Sequence, residues 1–127
     1  MIRLSALAAI AAATAVATVL AMTAAAGAAG HPKLIGVVGK NDAYKITLKT
    51  AKGKLVKTLK AGTYTLVIHD DSAIHNYELD GPHGKSWTFT SVPFKGTKTF
   101  TLKLAAGAYK AYCKPHESIM FQHFTVT

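Results

Sequence analysis

The chain has a single cysteine, Cys113, so no disulfide can form within it. It has a single arginine, Arg3; every other basic side chain is a lysine, and these are scattered rather than clustered. Nucleic-acid binders concentrate Arg and Lys on a reading element, and that arrangement is missing. Scattered lysines instead describe a solvated sheet face and a broad positive field that favours acidic partners. Helical periodicity is also missing beyond residue 30. What the sequence does have is a lone thiol, six histidines and a long alanine-rich opening.

That opening differs in kind from the rest. Arg3 precedes an apolar run from Leu4 to Ala26, followed by small residues through Gly30. One positive charge, an apolar run and a small-residue exit describe a secretory signal peptide over residues 1–29, cleaved between Ala26 and Gly30. The alternative is an uncleaved N-terminal anchor, since the run is long enough to span a bilayer. With no Arg-Arg pair, the expected route is secretion in the unfolded state, to the periplasm or the extracellular space. Residues 30–127 then form one domain, a monomer without stable membrane insertion, whose net charge falls from +9 to +8 on loss of Arg3. In an oxidising compartment a lone thiol is oxidised unless it is buried or ligated. Cys113 therefore needs an explanation.

Short runs of alternating side chains recur between Gly, Pro, Asp and Asn punctuation. Tyr44-Ile46-Leu48, Tyr64-Leu66-Ile68, His75-Tyr77-Leu79, Phe100-Leu102-Leu104, Tyr109-Ala111-Cys113 and Phe124-Val126 each take the inward parity. Shorter strands are expected at Leu34–Val38 and near Trp87–Thr90. About eight short antiparallel strands predict an all-β sandwich. The same parity puts Asn76 and Glu78 outward, and turns His69 and His123 toward solvent. The passages Ala61-Gly62-Thr63-Tyr64 and Ala106-Gly107-Ala108-Tyr109 look alike, as two similar turns leading into strands.

Near the C-terminus the sequence reads Tyr112-Cys113-Lys114-Pro115-His116-Glu117-Ser118-Ile119-Met120. A thiolate, an imidazole three residues on and a thioether four beyond that can reach one point from a single loop. His75 supplies a second imidazole from a strand end upstream. Two histidines, one cysteine and a weak axial methionine are the ligand set of electron-transfer copper. Each residue alone has a plainer reading, Cys113 as a small buried hydrophobe and His75 as a core histidine. Zinc in a structural role takes four strong ligands, and no second cysteine half-site exists.

These residues resemble the cupredoxins, the group of plastocyanin, pseudoazurin and amicyanin, over Leu34 to Thr127. The closest likeness lies in Asp70-Asp71-Ser72-Ala73-Ile74-His75-Asn76-Tyr77-Glu78-Leu79 and in the Cys113–Met120 loop. The resemblance implies a Greek-key sandwich with one type 1 copper ion on His75, Cys113, His116 and Met120. It implies an electron carrier serving redox partner proteins, acidic ones among them, and not an enzyme. It also implies that Asn76 ties the two ligand loops, its backbone N–H aimed at the Cys113 sulfur. Pro115 offers that sulfur no N–H. Relatives often place a glycine soon after the methionine, whereas this chain has Phe121-Gln122-His123.

Other functions fit less well. Multicopper enzymes wire a second centre through histidines beside the cysteine, and here Tyr112 and Lys114 flank it. A copper-handling protein without an electron-transfer role is the alternative reading, although such carriers favour Met- and His-rich open sites. Two of the three methionines here, Met1 and Met22, belong to the opening segment. An immunoglobulin-like sandwich would lack its paired cysteines. His83, after Gly81-Pro82, reads as a solvated loop residue, with a place near the copper end as the other option. His31 could clamp copper only as a new N-terminus.

Overall fold

A computed structural model describes residues 30–127, so the expected signal peptide lies outside the described residues. Among the described residues nine strands form two sheets: β1 (Lys33–Val38), β2 (Ile46–Thr50), β3 (Thr58–Leu59), β4 (Gly62–Asp70), β5 (Glu78–Asp80), β6 (Ser86–Thr88), β7 (Gly96–Leu104), β8 (Gly107–Tyr112) and β9 (Phe121–Val126). One sheet has the order β2-β1-β4-β7 and the other β3-β9-β8-β5-β6. The expected β-sandwich is present, with one strand more than expected. Its pairing is not wholly antiparallel, because β1 runs parallel to β4 and β3 parallel to β9. No helix among the described residues is long and apolar enough to cross a membrane.

Alternation decides which side chains meet between the sheets. Leu66 and Ile68 of β4 and Leu102 and Leu104 of β7 face Leu79, Ala111 and Phe124 of the other sheet in one buried cluster. Each fully buried Leu or Phe contributes about 1.5–3 kcal/mol. The two look-alike turns work the same way. Tyr64 donates its hydroxyl to the Lys60 carbonyl at 2.6 Å, and Tyr109 donates to that of Ala105 at 2.8 Å. Each tyrosine thereby closes the turn that leads into its own strand.

Register brings three loops to one end. Parallel pairing sets Val38 beside Asp70, so the β1–β2 loop and the β4–β5 loop leave together. Antiparallel pairing sets Tyr112 beside Glu78, so Cys113 emerges next to the end of the β4–β5 loop. His83 is at the opposite end: its 3₁₀ turn packs on Gly107, where an added Cβ would come within 2.6 Å of Pro82. Gly107 begins β8 and Cys113 follows its last residue, about 20 Å away at strand rise.

Candidate metal centre

His75 lies in the β4–β5 loop, three residues before the start of β5, and is fully buried. A Cβ at Gly39 would come within 2.9 Å of His75 Cδ2, and Gly39 takes a left-handed φ of 69°. Only glycine combines that turn with that approach. Cys113 is also fully buried. Its loop folds back on itself: Cys113 N–H donates to the Met120 carbonyl at 3.1 Å, and Met120 N–H to the His116 carbonyl at 2.9 Å. His116 N–H donates to the Cys113 carbonyl at 3.1 Å, which sets the imidazole over the sulfur, only partly buried.

Three donor atoms converge as a result. The Nδ1 atoms of His75 and His116 are 3.0 Å apart. The Cys113 Sγ is 3.7 Å from the first and 3.6 Å from the second. A circle through the three has a radius of about 2.0 Å, the length of a metal–imidazole bond. These are the only three or more His, Cys, Asp or Glu side chains so gathered among the described residues. A single ion at the centre would touch all three, so the residues fit a mononuclear thiolate–imidazole metal.

The electrostatics agree. Burial, reinforced by the charge of His116, lowers His75 from the ordinary imidazole value against the opposing pull of Asp42 and Asp70, which favours the neutral ring that a metal needs. Burial pushes the Cys113 thiol up, while the Asn76 N–H draws it down. A cation bound at such a buried thiol would displace its proton to solvent and hold the thiolate.

Asn76 binds the loops together as expected. Its N–H points at Cys113 Sγ at 3.5 Å, and its Oδ1 accepts the Lys114 N–H at 2.8 Å. Met120 is 1% exposed and closes the same loop through its backbone. His69, bonded to Thr97 at 3.0 Å, and the exposed His123 stay outside, as parity predicts.

Parity fails at several residues, Tyr112 among them, which is buried between the inward Ala111 and Cys113. Asn76 and Glu78, expected outward, are both buried. The Glu78 carboxylate accepts Asn76 Nδ2 at 3.1 Å and the Thr88 hydroxyl at 3.3 Å. Both faces of β5 are covered here, so a polar network takes the place of solvent. Tyr44, expected in the core with Ile46 and Leu48, is 54% exposed and lies against the rings of His75 and His116. The turn-forming Gly39 and Asn41-Asp42 just before it were the available signal, since such residues accept left-handed backbone.

No protein-family model matches the chain, and no curated protein sequence matches it. Solved structures do. Rusticyanin from Thiobacillus ferrooxidans is 18% identical with a TM-score of 0.52, over 75% of this chain and 76% of that one. Reduced rusticyanin is 16% identical with a TM-score of 0.54, over 75% and 78%. A further rusticyanin structure, described as a copper protein, is 15% identical with a TM-score of 0.54, over 75% and 76%. At this identity the likeness is one of fold, and the chain has the cupredoxin fold.

Proposed function

We propose that the chain is an exported mononuclear blue copper protein that carries one electron between redox partners and catalyses no reaction of its own. The observation that carries this reading is the convergence of His75 Nδ1, His116 Nδ1 and Cys113 Sγ at one point. Copper bound there would supply a one-electron couple at a site whose soft sulfur and imidazole donors suit both of its oxidation states. Met120, buried at the same end, is assigned as the weak fourth donor.

The chain's own residues hold the donors still. The fixed buried ring of His75 and the hairpin closure between Cys113 and Met120 leave little room for rearrangement. Asn76 N–H tunes the sulfur, and hydrogen bonding there is a lever on potential. Two buried donors disfavour a copper-delivery role, which needs an accessible, exchangeable site. His116 is the partly exposed ligand and is assigned as the electron port. Exposed Ile74 and Ile119, neighbours in sequence of His75 and Met120, give it an apolar rim suited to brief docking. The lysine excess points to acidic partner proteins met by a monomer in the periplasm or outside the cell.

The visible spectrum of the purified protein with one equivalent of cupric ion tests this reading. An intense blue band is expected, lost in Cys113→Ser without loss of the fold. Protein that binds copper and stays pale would sink it.

A further inference from the structure

Tyr44 stands outside the core, yet its position is closely specified. Its ring centroid is 4.9 Å from that of His75 at 79° and 4.7 Å from that of His116 at 73°. The two imidazoles are themselves 4.8 Å apart at 72°. Each of the three rings thus meets the other two edge to face, a favoured aromatic geometry. Burial does not account for this placement, since the side chain is 54% exposed.

The loop that carries Tyr44 is held in an unfavourable shape. Gly39, Asn41 and Asp42 have φ of 69°, 56° and 57°. Two successive non-glycine residues in the left-handed region persist only where surrounding contacts enforce them. Those contacts are present: Gly39 N–H donates to the Lys45 carbonyl at 3.1 Å, and Asp42 N–H to the Gly39 carbonyl at 2.9 Å. The loop is then fastened to the segment that bears His75. The Ser72 hydroxyl donates to Asp42 Oδ1 at 2.8 Å, and the Ser72 carbonyl accepts the His75 N–H at 3.4 Å.

We propose that Tyr44 is a positioning residue of the metal centre, and that the β1–β2 loop is a strap holding its ring against both imidazole ligands. His75 is already fixed by burial. His116 is the partly exposed ligand at the tip of its own loop, and an edge-on ring beside it opposes outward swing of the imidazole. The strap thus keeps the second nitrogen converged on the first whether or not metal is bound. This inference rests on the copper reading above for what the convergence serves, but not for whether the strap exists.

The test compares wild type, Tyr44→Ala, Tyr44→Phe and Asp42→Ala. In the metal-free proteins, carbon relaxation of the His116 ring should show greater motion in Tyr44→Ala and wild-type order in Tyr44→Phe. Asp42→Ala, which unfastens the strap without touching a ring, should fall between them. In the copper-loaded proteins, transfer to excess EDTA should remove the metal about tenfold faster from Tyr44→Ala than from wild type or Tyr44→Phe. Unchanged His116 order in both Tyr44→Ala and Asp42→Ala overturns the inference, whatever copper does. If wild type fails to turn blue while Tyr44→Ala still loosens His116, the copper assignment falls and the strap stands.

Discussion

Asn76 and Lys114 are joined by a hydrogen bond of 2.8 Å from the Lys114 N–H to the Asn76 side-chain carbonyl, across a sequence separation of 38 residues. The same asparagine donates its Nδ2 to Glu78 at 3.1 Å and aims its backbone N–H at the Cys113 sulfur. One side chain therefore fixes the spacing between the loop carrying His75 and the loop carrying Cys113 and His116.

Asn76→Ala leaves the backbone N–H in place but removes the partner of the Lys114 N–H and one of the two donors to Glu78 Oε1. The Lys114 N–H, left without its partner, costs about 1–3 kcal/mol. Urea unfolding of the metal-free protein should show a lower midpoint at unchanged slope, a destabilisation of about 1–3 kcal/mol. An unmoved midpoint would mean that the loops are held by something else.

The candidate site was legible because its residues are rare. A lone cysteine, a histidine three residues on and a methionine four further stand out in a chain of lysine, threonine and alanine. The inward faces of β4 and β7 followed from period-two alternation, which holds wherever a strand has one wet face. It broke at Tyr44 because β2 begins only at Ile46, and the preceding loop turns the side chain elsewhere. It broke at Asn76, which lies in the loop before β5, and at Glu78, because hydrogen bonds from Asn76, Lys114 and Thr88 take the place of water there. The parallel pairs β1–β4 and β3–β9 join strands distant in sequence, so no local turn signal announces them.

Met120→Leu probes the fourth donor. Leucine conserves volume at a site 1% exposed, so stability should fall by less than about 1.5 kcal/mol. Losing a weak donor to the cupric state should leave the protein blue and raise its reduction potential. Redox titration of both proteins decides the matter, and equal potentials would remove Met120 from the ligand set.

Asp70 carries a pH dependence. It is fully buried at the end of β4; its Oδ1 accepts the Ser72 N–H at 3.3 Å, while Oδ2 has no partner among the described residues. Burial lifts its carboxyl above the ordinary value of 3.8, against the opposing pull of the Thr90 hydroxyl, the Ser72 N–H and His75; Asp71 pushes it further up. The folded state thus holds this proton more tightly than the unfolded state. Its contribution is fully present below the unfolded value and is lost as pH rises through the raised one. Asp70→Asn, which cannot ionise, should match wild type in acid and become the more stable of the two towards neutral pH. Urea midpoints of the metal-free pair across that range check the sign, and a constant offset would clear Asp70 of the effect.

Charge and port separate in a last experiment. Residues 30–127 carry eight net positive charges, and the exposed apolar side chains of the rim include Ile119 at 64%. Raising salt from about 0.01 M to about 1 M shortens the screening length from about 30 Å to about 3 Å. If acidic partners are steered to this face, the stopped-flow rate of oxidation by an acidic acceptor protein should fall by about tenfold or more over that range. Ile119→Glu should slow exchange even with a neutral acceptor, because a hydrated carboxylate at the rim keeps a docking surface away from the His116 edge. Its visible spectrum should not change, since Ile119 lies outside the donor triangle. A rate indifferent to salt would discard steering and leave the port in place. Equal neutral-acceptor rates for Ile119→Glu and wild type would move the port away from His116.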